Sequence, residues 1–209
     1  NSIIVFQQII VMFLLIAFGF LLFRKGVLTN SVTKAITVLL NTYVTPCFLL
    51  RSFQRAFDPQ LAVSLALVFV FGLAFYLMSI VLVKRIYPDS LPSHADLRTT
   101  VVLTNNGFMG LPLLNAMFGA DGVFLGAGHI AAMATILWTY GVSQLSGGKV
   151  KFSIRQILFN PAMIGTMLGF LLFCSPVKLP SLVFQTVDFI ADINTPLAMM
   201  TLGCFMAQV

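Results

Sequence analysis

The chain has 209 residues, 59% of them hydrophobic and only 9% charged, with a mean hydropathy of +1.00. Soluble domains carry about 25% charged residues, so this composition excludes a water-facing surface, and 21 Phe alongside no Glu point the same way. The formal charge of +6 therefore belongs to loops beside a membrane, and no nucleic acid is expected as a partner.

A membrane-crossing helix takes about 20 apolar residues, and the chain offers seven such segments. They are too long and too numerous for barrel strands. The first, 3–23, carries no charge and is stopped by Arg24 and Lys25. It has no basic leader, so it reads as a span and not as a cleaved signal peptide. The second, 35–53, contains Asn41-Thr42-Tyr43-Val44-Thr45-Pro46. Pro46 removes a backbone hydrogen bond and frees a carbonyl near Thr42. Arg51 and Arg55 at its end fit side chains that snorkel. The third segment, 61–83, is uncharged.

The fourth, 99–118, is the most informative. It runs Thr104-Asn105-Asn106-Gly107-Phe108-Met109-Gly110-Leu111-Pro112, poor material for a continuous helix. Irregular backbone at membrane depth is tolerated only where it is buried in protein or lines a cavity. A broken helix presents free N–H groups at one half-helix start and free carbonyls at the other end. Two Asn amides add donors and acceptors, so such a site suits an anionic group or an ion. The competing reading is a Pro-kinked packing helix with small residues for close approach.

The fifth segment, 122–145, holds His129, a proton relay or a histidine bonded to a neighbouring helix. Trp138 and Tyr140 fit an interfacial aromatic belt. Asn160-Pro161 reads as the start of the sixth helix, 156–174. The seventh, 181–209, repeats the Pro theme as Asn194-Thr195-Pro196. Asp188 and Asp192 are four apart and share one helix face. Intramembrane carboxylates are functional suspects, here for protons or cations, against a plain location near the headgroups.

Nine of the 12 basic residues lie in the loops between segments 1–2, 3–4 and 5–6, and three lie on the other side. By the positive-inside rule the N-terminus is outside. Cys47, Cys174 and Cys204 have no motif spacing and read as small apolar residues. No nucleophile–base pair, phosphate loop or metal cluster stands out, so neither an enzyme nor a metal or other cofactor is expected.

An internal repeat is legible. Gly19-Phe20-Leu21-Leu22-Phe23 recurs as Gly169-Phe170-Leu171-Leu172-Phe173, Ser31 as Ser181, and Thr45-Pro46 as Thr195-Pro196, all at an offset of 150. Five segments separate the copies, so the second crosses in the opposite sense, the inverted topology of many secondary transporters. This divides the chain into a first five-helix repeat, 1–150, and the first two helices of a second, 151–209. The expected fold is an all-α polytopic helical bundle, an inverted five-plus-five repeat with a broken crossover helix and an incomplete second half. A complete protein would then have about 300 residues by this repeat logic.

These motifs resemble auxin efflux carrier family proteins. The resemblance rests on Gly19-Phe20-Leu21-Leu22-Phe23-Arg24-Lys25-Gly26-Val27-Leu28, Thr45-Pro46-Cys47-Phe48, Asn105 to Pro112 followed by Phe118-Gly119, Asn160-Pro161, and Pro196-Leu197-Ala198 near Leu202-Gly203. It covers nearly the whole chain. It implies a ten-helix inverted fold whose crossing broken helices form the substrate site. Plant members export the auxin anion, and bacterial members are linked to malate or other carboxylates. The short linker from Ser146 to Ser153 looks bacterial, implying a bacterial inner membrane. Helices 8 to 10 of the pattern are absent, so a homodimer is one way to complete a site.

The expected function is alternating-access transport of small organic anions such as carboxylates or auxin-like acids. Asn105, Asn106, Gly107, Gly110 and Pro112 would line the site, flanked by Asn41, Thr45, Pro46, Asn194, Thr195 and Pro196. Asp188, Asp192 and His129 are the candidates for coupling to protons or sodium. A bile-acid-type sodium symporter is the near rival, favoured by sodium-dependent uptake. A seven-helix receptor or a non-transporting scaffold is the alternative from another class.

Overall fold

A computed structural model describes residues 2–91, 93–103, 106–147 and 154–208. Among these the structure is helical and without strands. The elements are α1 (Ser2–Arg24), α2 (Asn30–Leu39), α3 (Thr45–Ser52), α4 (Pro59–Ile86), α5 (His94–Val102), α6 (Leu111–Ile136), α7 (Val142–Leu145), α8 (Ile154–Leu158), α9 (Pro161–Cys174), α10 (Ser181–Asp192) and α11 (Asn194–Met206). Five helices are long and apolar enough to cross a membrane, including Asn30–Ser52 and Leu111–Leu145, and Pro161–Cys174 is a shorter apolar helix.

Local chemistry sets the boundaries. Gly26, with φ +74°, closes α1 in a left-handed cap that an L side chain would strain. Asp58 caps α4 by accepting from the Gln60 N–H at 2.8 Å, with Pro59 in the first turn. Asn160 does the same for α9, accepting from the Ala162 N–H at 3.0 Å ahead of Pro161, as its sequence predicts. Pro46 does not break its segment. A π-helical turn, Leu40–Val44, precedes it, and the Thr45 N–H reaches back to the Leu40 carbonyl. Pro112 is preceded in the same way by a π-helical turn at Asn106–Gly110. At the third proline the chain turns at Ile193 instead, and α11 starts at Asn194.

The long element α6 is two antiparallel helices. The chain reverses at Gly119, where φ is +60° and ψ −147°. A methyl on Gly126 would lie 2.8 Å from Leu111 and 2.9 Å from Leu114, and one on Gly122 would overlap the Leu114 carbonyl oxygen. The fourth and fifth predicted segments are therefore separate helices joined by a tight turn.

The helices form two bundles. One is built on α1 against α11, α3 against α9 and α10, and α2 against α11. The other is built on α4 against α5 and α6, and α5 against α7. Each has its own core: Met12, Ile16, Leu40, Val44, Ala198 and Met199 in the first, and Tyr76, Val83, Val102, Ala132 and Ile136 in the second. The largest apolar cluster lies on the seam between them. There Phe48, Leu49, Phe53 and Phe173 meet Leu65, Leu111, Val123 and Phe124.

Backbones approach closely inside the first bundle. A methyl at Gly203 would overlap the Ile16 carbonyl oxygen, and one at Gly19 the Met200 carbonyl oxygen. At the partner crossing, a methyl on Gly165 would sit 2.7 Å from Pro46 Cα, and one on Gly169 would press on the Phe53 ring at 2.5 Å. Small residues permit such crossings in lipid, where packing rather than hydrophobicity drives helix association. Gly203→Ala is therefore expected to destabilise the protein by about 1–3 kcal/mol or more, read as a lower midpoint of thermal unfolding in detergent. An unchanged midpoint would show that α1 and α11 do not pack this closely.

The turn between α4 and α5 is pinned by Arg98, which is only 3% exposed. It donates to the Tyr87 carbonyl and to Asp89, each at 2.7 Å. That hydrogen bond, and then the Arg98 charge, hold the Asp89 carboxyl below its ordinary value. A depressed carboxylate contributes stability that is complete above the unfolded value, about 3.9, and lost as pH falls through the folded one. The difference in unfolding midpoint between the wild type and Asp89→Asn is expected to be constant above about pH 5 and to close below about pH 4. A difference that persists unchanged into acid would contradict this.

Candidate functional site

The helix break lies at Leu103, whose backbone is extended with φ −92° and ψ 97°. Thr104 and the predicted site residue Asn105 fall outside the described residues. The chain resumes as the π-helical turn Asn106–Gly110 and runs into the α-helical Leu111–Phe118 stretch. The interruption thus lies on the N-terminal side of the Gly–Pro motif. Gly107, Gly110 and Pro112 sit in helical backbone, with Pro112 buried.

Asn106 is the most connected polar residue at the break. Its Nδ2 donates to the Tyr76 hydroxyl at 2.9 Å and lies 2.8 Å from His129 Nε2. Tyr76 and His129 meet at 3.1 Å, and their rings stack with centroids 5.3 Å apart. With the amide as donor, His129 Nε2 is the acceptor and Nδ1 carries the proton. Gly72 makes room for the imidazole: a methyl there would lie 3.2 Å from His129 Nδ1. Tyr76 is fully buried, so this is a satisfied polar cluster anchored in α4 and the second half of α6. His129 was legible in sequence as a candidate; Tyr76 was not.

Three cavities converge on the Asn106–Gly110 turn. One of about 480 Å³ lies against Ile9, Met12, Phe13 and Ile16 of α1 and reaches Asn106 and Gly110. A second, about 420 Å³, runs under Val68 of α4 from Asn106 and His129 to Asp121 and is lined almost wholly by apolar groups. The third, about 340 Å³, lies on the seam and is the most polar of the three. It brings the predicted Asn41, Thr45 and Gly107 together with Thr42, Trp138 and Asn160. Trp138 is thus a cavity residue as well as a candidate belt residue, and its buried indole Nε1 has no hydrogen-bond partner among the described residues.

Asn194 is fully buried beside this region. Its Oδ1 accepts from the Thr45 hydroxyl at 3.1 Å, and its Nδ2 has no partner among the described residues. The two Pro-containing segments therefore touch through Thr45, next to Pro46, and Asn194, two residues before Pro196. Pro46 packs on Gly165, while Thr195 and Pro196 are half-buried on α11.

The other end of the seam is charged. Arg51 donates to Asp188 at 2.9 Å and to Asp192 at 2.5 Å, so both predicted coupling carboxylates share one guanidinium. Arg55 pairs with Asp121 across the seam and lies 4.9 Å over the Phe124 ring. Beneath this layer Phe53, Phe124 and Phe173 are fully buried, with centroid separations of 4.9 and 5.1 Å. A cavity of about 400 Å³, lined by Arg51, Ser52, Gln54, Arg55, Asn115 and Val123 among others, opens above them.

A family model described as membrane transport protein matches residues 4–209. The chain is also similar to an uncharacterized transporter of Methanocaldococcus jannaschii, at 29% identity over 109 residues. That stretch is 49% of this chain and 35% of the relative, so the match spans about a third of the relative's length.

Proposed function

Because the chain belongs to the membrane transport protein family, the group its auxin-efflux-carrier motifs resemble, and is an integral membrane protein, we propose that it carries small organic anions by alternating access. The site is at the break in the fourth pass. The observation that carries this reading is the convergence of three cavities on one π-helical turn at the seam between two bundles. Helix-start N–H groups at Asn106 and Gly107 favour an anion, as does the Trp138 indole N–H, which has no partner among the described residues and belongs to a residue lining the seam cavity. Asn41, Thr42 and Asn160 supply neutral polar groups that hold a carboxylate without trapping it.

The repeat belongs to the same reading. The packing of α1 with α11 and of α9 with α3 exchanges under the offset of 150, Gly19 and Gly169 each pressing on the opposite copy. This supports an inverted pair whose axis passes near Thr45 and Asn194. Rocking of one bundle against the other then opens the seam on alternate sides. The aromatic layer and the Arg55–Asp121 pair close the end away from the basic loops, and the positive-inside rule makes that end external. His129 is the coupling candidate beside the site, whereas Asp188 and Asp192 are held by Arg51.

The test is uptake into proteoliposomes with labelled malate and a panel of aliphatic and aromatic carboxylates, with and without proton and sodium gradients. Saturable uptake that competing carboxylates inhibit is expected. Flux of cations or neutral solutes with no carboxylate flux would overturn the reading.

A further inference from the structure

A cavity far from the break remains unassigned. It lies where α4 ends, among Lys84, Pro88, Asp89, Arg98 and Gln144, and has a volume of about 390 Å³. Its cations outnumber its acids. Asp89 is already engaged by Arg98; Lys84 also attracts Asp89 but less strongly, and neither Lys84 nor the adjacent Arg85 has a carboxylate within 4.0 Å among the described residues. The Lys84 ammonium lies 5.9 Å over the Tyr140 ring. The Gln144 side chain adds an amide at the rim. The donors that line the cavity are thus an ammonium and an amide beside the Arg98 guanidinium, a set that suits a phosphate oxygen cluster.

The position fixes the source of that phosphate. Immediately below the cavity, α4 exposes Leu77, Met78, Val81 and Leu82, each about half accessible, on a helix long and apolar enough to cross the bilayer. A headgroup in the cavity places its acyl chains along this face. Basic pockets between transmembrane helices on the positively charged side bind anionic lipid headgroups in this way.

We propose that this cavity is a binding site for the phosphate of an anionic membrane lipid, with Lys84 as its principal cation and the Gln144 amide as a neutral donor. The site is independent of transport, since none of these side chains borders the break.

The whole chain in neutral detergent is titrated with phosphatidylglycerol, phosphatidylcholine or inorganic phosphate. Native mass spectrometry reads retention, and the unfolding midpoint reads stabilisation. Phosphatidylglycerol is expected to be retained and to raise the midpoint, and the other two are not. Lys84→Gln should weaken retention about fivefold. Gln144→Leu should weaken it with the fold intact. Lys34→Gln, which removes an equal charge from an exposed site on α2, should leave it unchanged. Three results would each overturn the proposal: equal retention of phosphatidylcholine, an equal effect of Lys34→Gln, or stabilisation by inorganic phosphate as strong as by the lipid.

Discussion

Asn106→Ala is expected to cut saturable carboxylate flux tenfold or more while the protein keeps its thermal midpoint within a few degrees. The two effects separate because of how the amide is placed. Its Nδ2 serves Tyr76 and His129, but those two side chains also bond each other at 3.1 Å. Truncation leaves neither of them bare, so the cost to the fold stays near the lower end of about 1–3 kcal/mol for a lost buried partner. The site loses more. Asn106 forms a wall of two cavities and begins the helical turn that faces the third. A tenfold loss corresponds to about 1.4 kcal/mol, within reach of one hydrogen bond to a charged ligand. Asn106→Asp, which is the same size but repels an anion, should lose at least as much. Flux equal to the wild type in both variants would move the site away from the break.

The second large effect concerns the closed end of the seam. The reporter is Ser52→Cys in a background lacking Cys47, Cys174 and Cys204. Ser52 is 5% exposed and lines the cavity above the aromatic layer, so a membrane-impermeant maleimide should label it slowly. The Arg55–Asp121 pair contributes about 0–1 kcal/mol, as exposed pairs do, and Arg55 over Phe124 adds about 0.5–1 kcal/mol. Arg55→Gln removes both and should speed labelling roughly 5–30-fold, the factor that 1–2 kcal/mol represents. Asp121→Asn, which removes only the pair, should have the smaller effect. Phe124→Ala takes a fully buried ring from the layer itself and should act most strongly, since such truncations cost about 3–5 kcal/mol. The same order of labelling rates is not expected from global destabilisation, because the Gly203→Ala variant, remote from this end, should leave labelling unchanged. Equal rates in all variants would mean that this layer is not a gate.

Much of the scaffold was legible in the sequence because the bilayer writes it in composition. Charge-free runs placed the helices, and Asn160-Pro161 marked a helix start that the structure reproduces. The Asn106 region was found because two Asn, two Gly and a Pro are too polar and too flexible for lipid. What escaped is what depends on distant pairing. Tyr76 lies 30 residues from Asn106, and nothing in its own segment announces a partner. Phe53, Phe124 and Phe173 are three among 21 Phe, and only the folding of α3, α6 and α9 around one seam selects them. Arg51 was legible as a snorkelling residue, but its two carboxylates arrive from 137 and 141 residues away. The prolines suggest breaks in their helices, with a plain kink as the competing reading, whereas at Pro46 and Pro112 the π-helical turns ahead of them absorb the strain, a device with no composition of its own.

Those turns have a bearing on how such a protein tolerates change. A π-helical turn holds one residue more than the α-helical turn it replaces, and each residue of an α-helix advances the azimuth by about 100°. The turn at Leu40–Val44 is therefore a phase shifter. It decides which way Asn41 and Thr42 face relative to Phe48 and Arg51 beyond it, while altering the length of the segment by only about 1.5 Å. Loss of a single residue there would barely shorten the helix, yet it would swing the polar rim of the cavity out of alignment with the aromatic layer. At this position an insertion or deletion acts as a rotation, and the chain has no loop nearby in which to hide it.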